Sequence, residues 1–189
     1  MSMTAMGIGL LQTAGKPDGS GGFVAIPPAE VGQYTQAPLG FTHLQPASSQ
    51  MSVAATDVSS QSGDRQWIYV YNATVAALTQ GTVCIRGGAG IVADTFCGPT
   101  LAGVPMSAAS VVGVVQHEIP AGFCGFILRK GAGKVAMEAT AAANLGLLIG
   151  TAADGEAKSA ATVVEAGFGY SLVSAVGAGL RDAYLDCNG

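Results

Sequence analysis

The chain has 189 residues, of which 49% are hydrophobic and only 11% charged, and its formal net charge is −4. This length suits one domain with or without an appendage, and the negative charge disfavours nucleic-acid binding, which needs a positively charged face. Because soluble domains usually carry roughly 25% charged residues, we expect other protein to cover much of this surface, although an Ala- and Gly-rich core would also raise the hydrophobic fraction.

Residues 1–64 are predicted to form an extended arm. They are rich in Gly, Ser, Thr, Gln and Pro, and their apolar residues follow neither a helical nor a strand period. Such a segment cannot bury enough apolar area to offset a backbone entropy of about 1–2 kcal/mol per residue. It still contains many large apolar residues, so we expect it to become ordered by lying on neighbouring subunits. It lacks the basic start of a secretory signal, which predicts that the chain stays in the compartment where it is made.

Residues 65–189 are predicted to form one β-rich domain. Aromatic and aliphatic residues alternate over 67–71, which indicates a strand with aromatic side chains on one face. Short apolar runs between turn residues predict further strands at 83–85, 111–115, 123–128, 146–149, 162–165, 170–176 and 183–186. This pattern favours a mainly β fold, either a compact barrel or a sandwich.

The stretch 111–131 contains few ionisable side chains. It is predicted to form a strand, a turn at Pro120 and Gly122, and a second strand, followed by a hairpin turn over 131–134. His117 and Glu118 are its one adjacent acid–base pair. Because neighbouring residues of a strand point to opposite faces, we do not expect them to act on one atom.

One helix is predicted, over residues 135–144, because the segment is rich in Ala. A short helical turn inside the β domain is an equally acceptable interpretation.

The remaining motifs favour structural interpretations. Residues 88–93 match the Gly-x-Gly-x-x-Ala fingerprint of dinucleotide sites, but the glycines and prolines that follow leave no room for the required helix, so we expect no cofactor. Residues 95–115 are interrupted by prolines and glycines, which argues against a membrane span. Asn72-Ala-Thr74 fits a glycosylation acceptor, although the end of a strand is the simpler interpretation. We expect neither catalytic residues nor a metal site, and therefore no enzyme activity.

The four cysteines have no metal-binding spacing, and we expect reduced, half-buried thiols. A disulfide between two of them is also possible in principle, but their spacing selects no pair: Cys84, Cys97, Cys124 and Cys187.

In the order of its features, residues 66–186 resemble the capsid decoration (cement) proteins of tailed bacteriophages. The similarity lies in an aromatic strand with an Asn turn, a Gly-Val strand before a Pro-Ala-Gly turn, a Gly-Leu-Leu strand and a closing strand pair. These features occupy residues 67–84, 111–131, 145–158 and 167–186.

The resemblance implies a barrel- or tulip-like domain, often a homotrimer, that binds the major capsid protein outside the shell, at capsomer junctions. It implies a virion protein made in the host cytoplasm, without enzyme activity. The arm before the matching region is longer than a compact decoration module requires, which favours an arm that reaches across capsomers.

Residue type alone suggests which side chains contact partners, because aromatic residues often dominate interface energies. The candidates are Phe23, Ile26, Tyr34 and Phe41 in the arm, and Trp67, Tyr69 and Tyr71 at the start of the domain. An alternative function is a receptor- or carbohydrate-binding module of a phage head fibre or tail. Such a module usually combines exposed aromatic residues with clustered polar side chains, and no such cluster is evident in the sequence.

Overall fold

The computed structural model describes residues 16–17, 23–24, 40, 42–45, 64–86, 96–99, 110–139, 146–149, 153–160, 167–172 and 177–187. Within these ranges the chain is nearly all β and has no α-helix, so the mainly β prediction is confirmed. The strands are β1 (Lys16–Pro17), β2 (Phe23–Val24), β3 (Thr42–Gln45), β4 (Arg65–Asn72), β5 (Val83–Arg86), β6 (Phe96–Pro99), β7 (Val111–Val115), β8 (Cys124–Met137), β9 (Leu147–Ile149), β10 (Ala157–Ser159), β11 (Gly169–Ser171) and β12 (Gly179–Asp186).

Most predicted strands are present. Strand β7 has the predicted bounds, and β4, β5, β8, β9, β11 and β12 overlap the segments where short apolar runs predicted strands. The strand predicted at 162–165 lies outside the described residues. Strands β6 and β10 were not predicted, because neither has an alternating apolar pattern.

Two sequence predictions in the β8 region are wrong. The predicted hairpin turn over 131–134 and the first part of the predicted helix, 135–137, both belong to the single strand β8. The reason is tertiary, because β8 pairs along this half with all eight residues of β12. This pairing, together with burial of Val135 and Met137, overrides the helix propensity of the alanines. Residues 140–144 lie outside the described part of the chain.

The main sheet is curled into a half-barrel, and five of its strands are joined in a circuit of pairings. From β4 the circuit passes to β8, β7, β5 and β6, and returns to β4. Four of these strands contribute to one apolar cluster, which therefore fills the interior of the circuit. Its members are Ile68, Val70, Leu78, Cys84, Val112, Val115, Ile119 and Ile127.

Strand β7 is buried along its whole length because both of its faces are covered, and it contains a β-bulge. Ile85 of β5 pairs with Val111 and the preceding Cys84 pairs with Gly113, which leaves Val112 as an extra residue. The bulge reverses the alternation of the side chains beyond it. Val111 and Val114 accordingly join one core cluster, and Val112 joins the other.

The second half of β8 builds the rest of the fold. It pairs with β12 and, at Met137, with β10. Strand β12 pairs with β11, β10 pairs with β9, and a bridge between Gly146 and Tyr170 links these two branches. Buried side chains of these strands pack against the outer face of the five-strand circuit. Together with residues of the circuit they form a larger cluster: Val83, Val111, Val114, Leu128, Val135, Met137, Leu147, Ala157, Phe168, Ala183, Leu185 and Cys187.

Strand β8 bends sharply between its two halves. A Cβ atom at Gly133 would lie 2.5 Å from Cδ2 of Leu128, whereas a straight strand separates residues five apart by about 16 Å. Gly131, at the bend, has a φ of 110°, and a Cβ atom there would lie 2.7 Å from the carbonyl oxygen of Asp64. Glycine is therefore required at position 131.

Part of the predicted arm belongs to the sheet. Strand β3 pairs antiparallel with the first half of β4, and the amide of Gly40 donates a hydrogen bond to the carbonyl of Tyr69 at 2.7 Å. Strand β8 occupies the other edge of β4, so β3 and β6 share one edge of β4, end to end. The predicted division of the chain at residue 64 stays a prediction.

Among the described side chains, no two cysteines form a disulfide. Cys84, Cys124 and Cys187 are buried, more deeply than predicted. Burial, reinforced by the Asp186 carboxylate, raises the pKa of the Cys187 thiol from 9.0 to about 12, although Arg129 opposes the shift. In the described part of the chain, no helix has the length and apolarity to cross a membrane.

The first prediction compares two leucines of β12. Leu185 is 0% exposed and Leu180 is 42% exposed. Leu185→Ala should lower the free energy of unfolding by about 2–5 kcal/mol, because it leaves a cavity in the larger cluster. Leu180→Ala should lower it by about 1 kcal/mol or less. Urea denaturation followed by fluorescence of Trp67, which packs against this cluster, measures both. Equal losses would contradict the assigned core.

The second prediction concerns alkaline pH. Because the folded chain holds the Cys187 proton more tightly than the unfolded chain, stability should be constant below pH 9.0 and decrease as the pH rises toward about 12. The slope contributed by one such group is at most about 1.4 kcal/mol per pH unit. In Cys187→Ala the decrease should be smaller, and the Tyr69 hydroxyl, whose pKa is also raised by burial, should contribute to the part that remains at the highest pH. Denaturation curves between pH 8 and 11 test this, and identical profiles for the two proteins would refute it.

Candidate interaction surface

The three aromatic candidates on β4 lie on one face of the strand but differ in exposure. Tyr69 is fully buried, and its ring lies 5.0 Å from that of Phe126 at an interplanar angle of 48°. Burial, reinforced by the adjacent Cys124 thiol, raises the pKa of its hydroxyl. Trp67 and Tyr71 are half-buried. A role in the core therefore accounts for Tyr69, and contact with a partner remains a prediction for the other two.

The arm candidates are only partly covered by the structure. Phe23 lies in β2, which pairs with β1 in a small two-stranded sheet, and its side chain is outside the described part. Ile26, Tyr34 and Phe41 lie outside the described residues.

Asn72 ends β4 and organises the turn that follows. Its Nδ2 donates to the carbonyl oxygens of Ala76 at 2.9 Å, Ile119 at 2.9 Å and Pro120 at 3.1 Å. Its Oδ1 accepts a hydrogen bond from the amide of Thr74 at 3.0 Å and lies 2.7 Å from the Thr74 hydroxyl. Because Asn72 is 0% exposed, its amide is not accessible to glycosylation in the folded chain.

The same residue joins this turn to a second one. The amide of Asn72 donates to the carbonyl of Phe123 at 2.8 Å, and the amide of Gly122 donates to the carbonyl of Asn72 at 3.0 Å. Residues 73–77 and 120–123 are therefore held together as one unit, which we call the tip.

The tip presents an apolar surface to solvent. Val75 is 101% exposed, and Ala76, Ala77 and Ala121 are also exposed. The sequence contains no charged residue over 66–85 or 119–128. Exposed apolar side chains on a rigid turn are the kind of feature that a protein partner covers.

A second exposed region lies on β11 and β12. Tyr170 and Tyr184 stack with their ring centroids 5.3 Å apart, and both Tyr170 and Leu180 are substantially exposed. Two ion pairs connect β12 with β8 nearby: Lys130–Asp186 at 3.3 Å and Lys134–Asp182 at 3.1 Å. This region is mixed in character, because its apolar groups are bordered by charges.

A small pocket of about 160 Å³ lies beside Trp67, lined by Arg65, Trp67, Gln80, Gln116, Leu128, Ala132 and Lys134. The Gln116 side chain is already bound to the backbone of Lys134, through Nε2 to the carbonyl at 2.9 Å and through Oε1 to the amide at 2.8 Å. The Lys134 ammonium is paired with Asp182. Two of the polar groups around this pocket are therefore engaged within the chain.

His117 and Glu118 lie in the bend between β7 and Ile119, and not on a strand as predicted. Among the residues that the structure describes, no group of three His, Cys, Asp or Glu side chains could hold a metal ion.

Val75, Tyr170 and Leu180 are surface residues that the sequence pattern does not predict. Each is apolar and lies in a segment that reads as an ordinary strand or turn. Of these three residues, only Val75 has a sequence context that indicates exposure, because it lies between Thr74 and two alanines in a turn that follows Asn72.

The third prediction tests the Asn72 network. Asn72→Ala removes the hydrogen bonds from the buried side-chain amide to the carbonyls of Ala76, Ile119 and Pro120 and the bond that its oxygen accepts from Thr74, and should lower the free energy of unfolding by about 1–3 kcal/mol. Asn72→Asp should cost more at pH 7, because a carboxylate would face the carbonyl oxygens of Ile119 and Pro120. Gln80→Ala removes an exposed amide and should change stability by about 0.5 kcal/mol or less. Urea denaturation measures all three, and an Asn72→Ala variant as stable as the unchanged protein would disprove the role of the network.

Comparison with known proteins gives few matches. No family model matches the chain, and no curated protein matches it. Among solved structures, the chain is similar to the N base of the head fibre protein gp8.5 of bacteriophage phi29, with 12% identity and a TM-score of 0.44, over 64% of this chain and 94% of that chain.

Proposed function

We propose that the chain is a structural protein of a phage head, one that binds the outside of the capsid at capsomer junctions and stabilises the shell. Its partners are the major capsid protein and other copies of itself, in a homotrimer. It is made in the host cytoplasm and acts as part of the virion, without enzyme activity.

The observation that carries this proposal is the distribution of exposed apolar side chains on a rigid sheet. They lie at separate places: Leu44 on β3, Val75 in the tip, and Tyr170 on β11. Many moderate contacts of this kind, repeated over a symmetric lattice, give strong attachment without one tight site.

The placement of the family-like segments supports the same proposal. The four segments that resemble decoration proteins contain β4, β7 with the start of β8, β9 with β10, and β11 with β12. They pair with one another in one sheet. The similarity in sequence order therefore corresponds to a single structural unit.

Strand β3 supports a role for the arm in assembly. Among the described strands it is the last on its side of the sheet, and its exposed Leu44 lies on this edge. Sheet edges are common sites for the addition of a strand from another chain. A neighbouring subunit or its arm could pair there.

The fourth prediction is tested with capsids purified without this protein. The full chain, added in increasing amounts, should cosediment with the capsids and saturate, and decorated capsids should release their DNA at a higher temperature. Binding stabilises a shell by mass action, by about 2.7 kcal/mol per site at a free concentration of 100 times the Kd. In sedimentation velocity the free protein should have three times the 18.7 kDa mass of the chain.

Leu185→Ala, which weakens the core, serves as a control for specific binding, since its binding should decline when it unfolds. Failure of the full chain to bind capsids would refute the proposal. Binding to host cells or glycans without an effect on the shell would favour the receptor-binding alternative.

A further inference from the structure

We propose that the tip is the surface that contacts the capsid shell, with Val75 inserted into an uncharged, apolar recess of the major capsid protein. This inference rests on the proposed function and adds to it a specific contact surface, which lies outside the arm and the aromatic residues of β4.

The first argument is the rigidity of the tip. A short loop between strands ordinarily loses conformational freedom when it binds, and that loss weakens the complex. Here the buried Asn72 amide, bound to the carbonyls of Ala76 and Ile119, holds both turns in place before any partner arrives. The Thr74 hydroxyl, 2.7 Å from the Ala76 carbonyl, adds a contact within the first turn. A preorganised tip can therefore use the full burial of Val75 for binding.

The second reason is that the exposed surface of the tip carries no charged side chain. The tip is fully apolar at Val75, Ala76, Ala77 and Ala121, and the nearest exposed charge along the chain is Glu118. A partner that buries this surface gains most when it is also uncharged, since a charge facing it would lose its water without a replacement. The region on β11 and β12 is less suitable, because the Lys130–Asp186 and Lys134–Asp182 pairs border it.

The third argument is the direction of the arm. Strand β3 runs antiparallel to β4, from Thr42 opposite Ile68 to Gln45 opposite Arg65. The preceding Gly40 binds Tyr69, three residues before Asn72. Followed back toward its N-terminus, the chain thus moves along β4 toward the tip. The arm and the tip are directed to the same end of the sheet.

The length of the arm favours a capsid lattice over a second copy as the occupant. Thirty-nine residues precede Gly40. Because β1 and β2 pair antiparallel and bring residues 16 and 24 side by side, the other thirty can reach about 100 Å when extended. A compact domain of the size of residues 65–189 has a radius of gyration of about 14 Å. An arm of this reach matches an extended surface, such as a shell of many capsid subunits, better than one neighbouring copy.

The fifth prediction uses Val75→Asp with Leu180→Asp as the matched control. Both changes place a carboxylate on an exposed apolar position, and Leu180 lies on β12, which pairs with the second half of β8. Val75→Asp should weaken cosedimentation with capsids at least tenfold, and Val75→Ser should weaken it less. Leu180→Asp should bind within about twofold of the unchanged protein. Urea midpoints and circular dichroism confirm that each variant is folded.

The outcomes separate this inference from the proposed function. If the unchanged protein binds capsids and Val75→Asp binds equally well, the tip is not the contact surface, and the proposed function stands. If Leu180→Asp alone loses binding, the contact lies on β11 and β12, and the inference is wrong. If Val75→Asp changes the sedimentation mass of the free protein, the tip contacts a second copy, which also overturns it. If the unchanged protein does not bind, the proposed function itself fails.

Discussion

Backbone hydrogen bonding along β8 is the constraint on which the rest of the structure depends. This strand pairs with β4 and β7 in its first half and with β12 and β10 in its second. The bend at Gly131 allows one continuous strand to serve both halves. Side chains of β8 accordingly enter both core clusters, with Ile127 in one and Leu128 in the other.

The unusual composition follows from this close packing of strands. A Cβ atom at Gly113 would lie 2.8 Å from the carbonyl oxygen of Leu128, so β7 and β8 approach at a distance that only glycine allows. Small and β-branched residues fill the space between the strands, and little of the chain is left for charged side chains. The low charge is thus explained in part by the interior, and in part by the exposed apolar residues on the tip and on β11–β12.

The surface and the core are linked through Asn72. Its side chain is buried against Ile119, a member of the interior cluster of the five-strand circuit, while its turn presents Val75 to solvent. A contact made at Val75 is therefore coupled to this cluster through the hydrogen bonds of Asn72.

The sequence by itself determined the β class and most strand positions. The strand Val111–Val115 and the turn at Pro120 and Gly122 follow from local preferences, since β-branched residues favour a pleated backbone and Gly122 adopts a φ of 75°. In the Ala-rich segment after Gly131, by contrast, local preference predicts the wrong structure. Local propensity favours a helix there, and only pairing with β12, more than 40 residues later, makes it a strand.

The interaction surface depended even more on the tertiary structure. Residue type alone does not indicate that Tyr69 is buried and Val75 fully exposed, and only the turn residues around Val75 point to its exposure. The role of Asn72 was equally hidden, because its partner Ile119 lies 47 residues away. Alternation of residue types specifies which side chains share a face of a strand. Whether that face is covered depends on segments distant in the chain, so burial and exposure are decided only when the sheet closes.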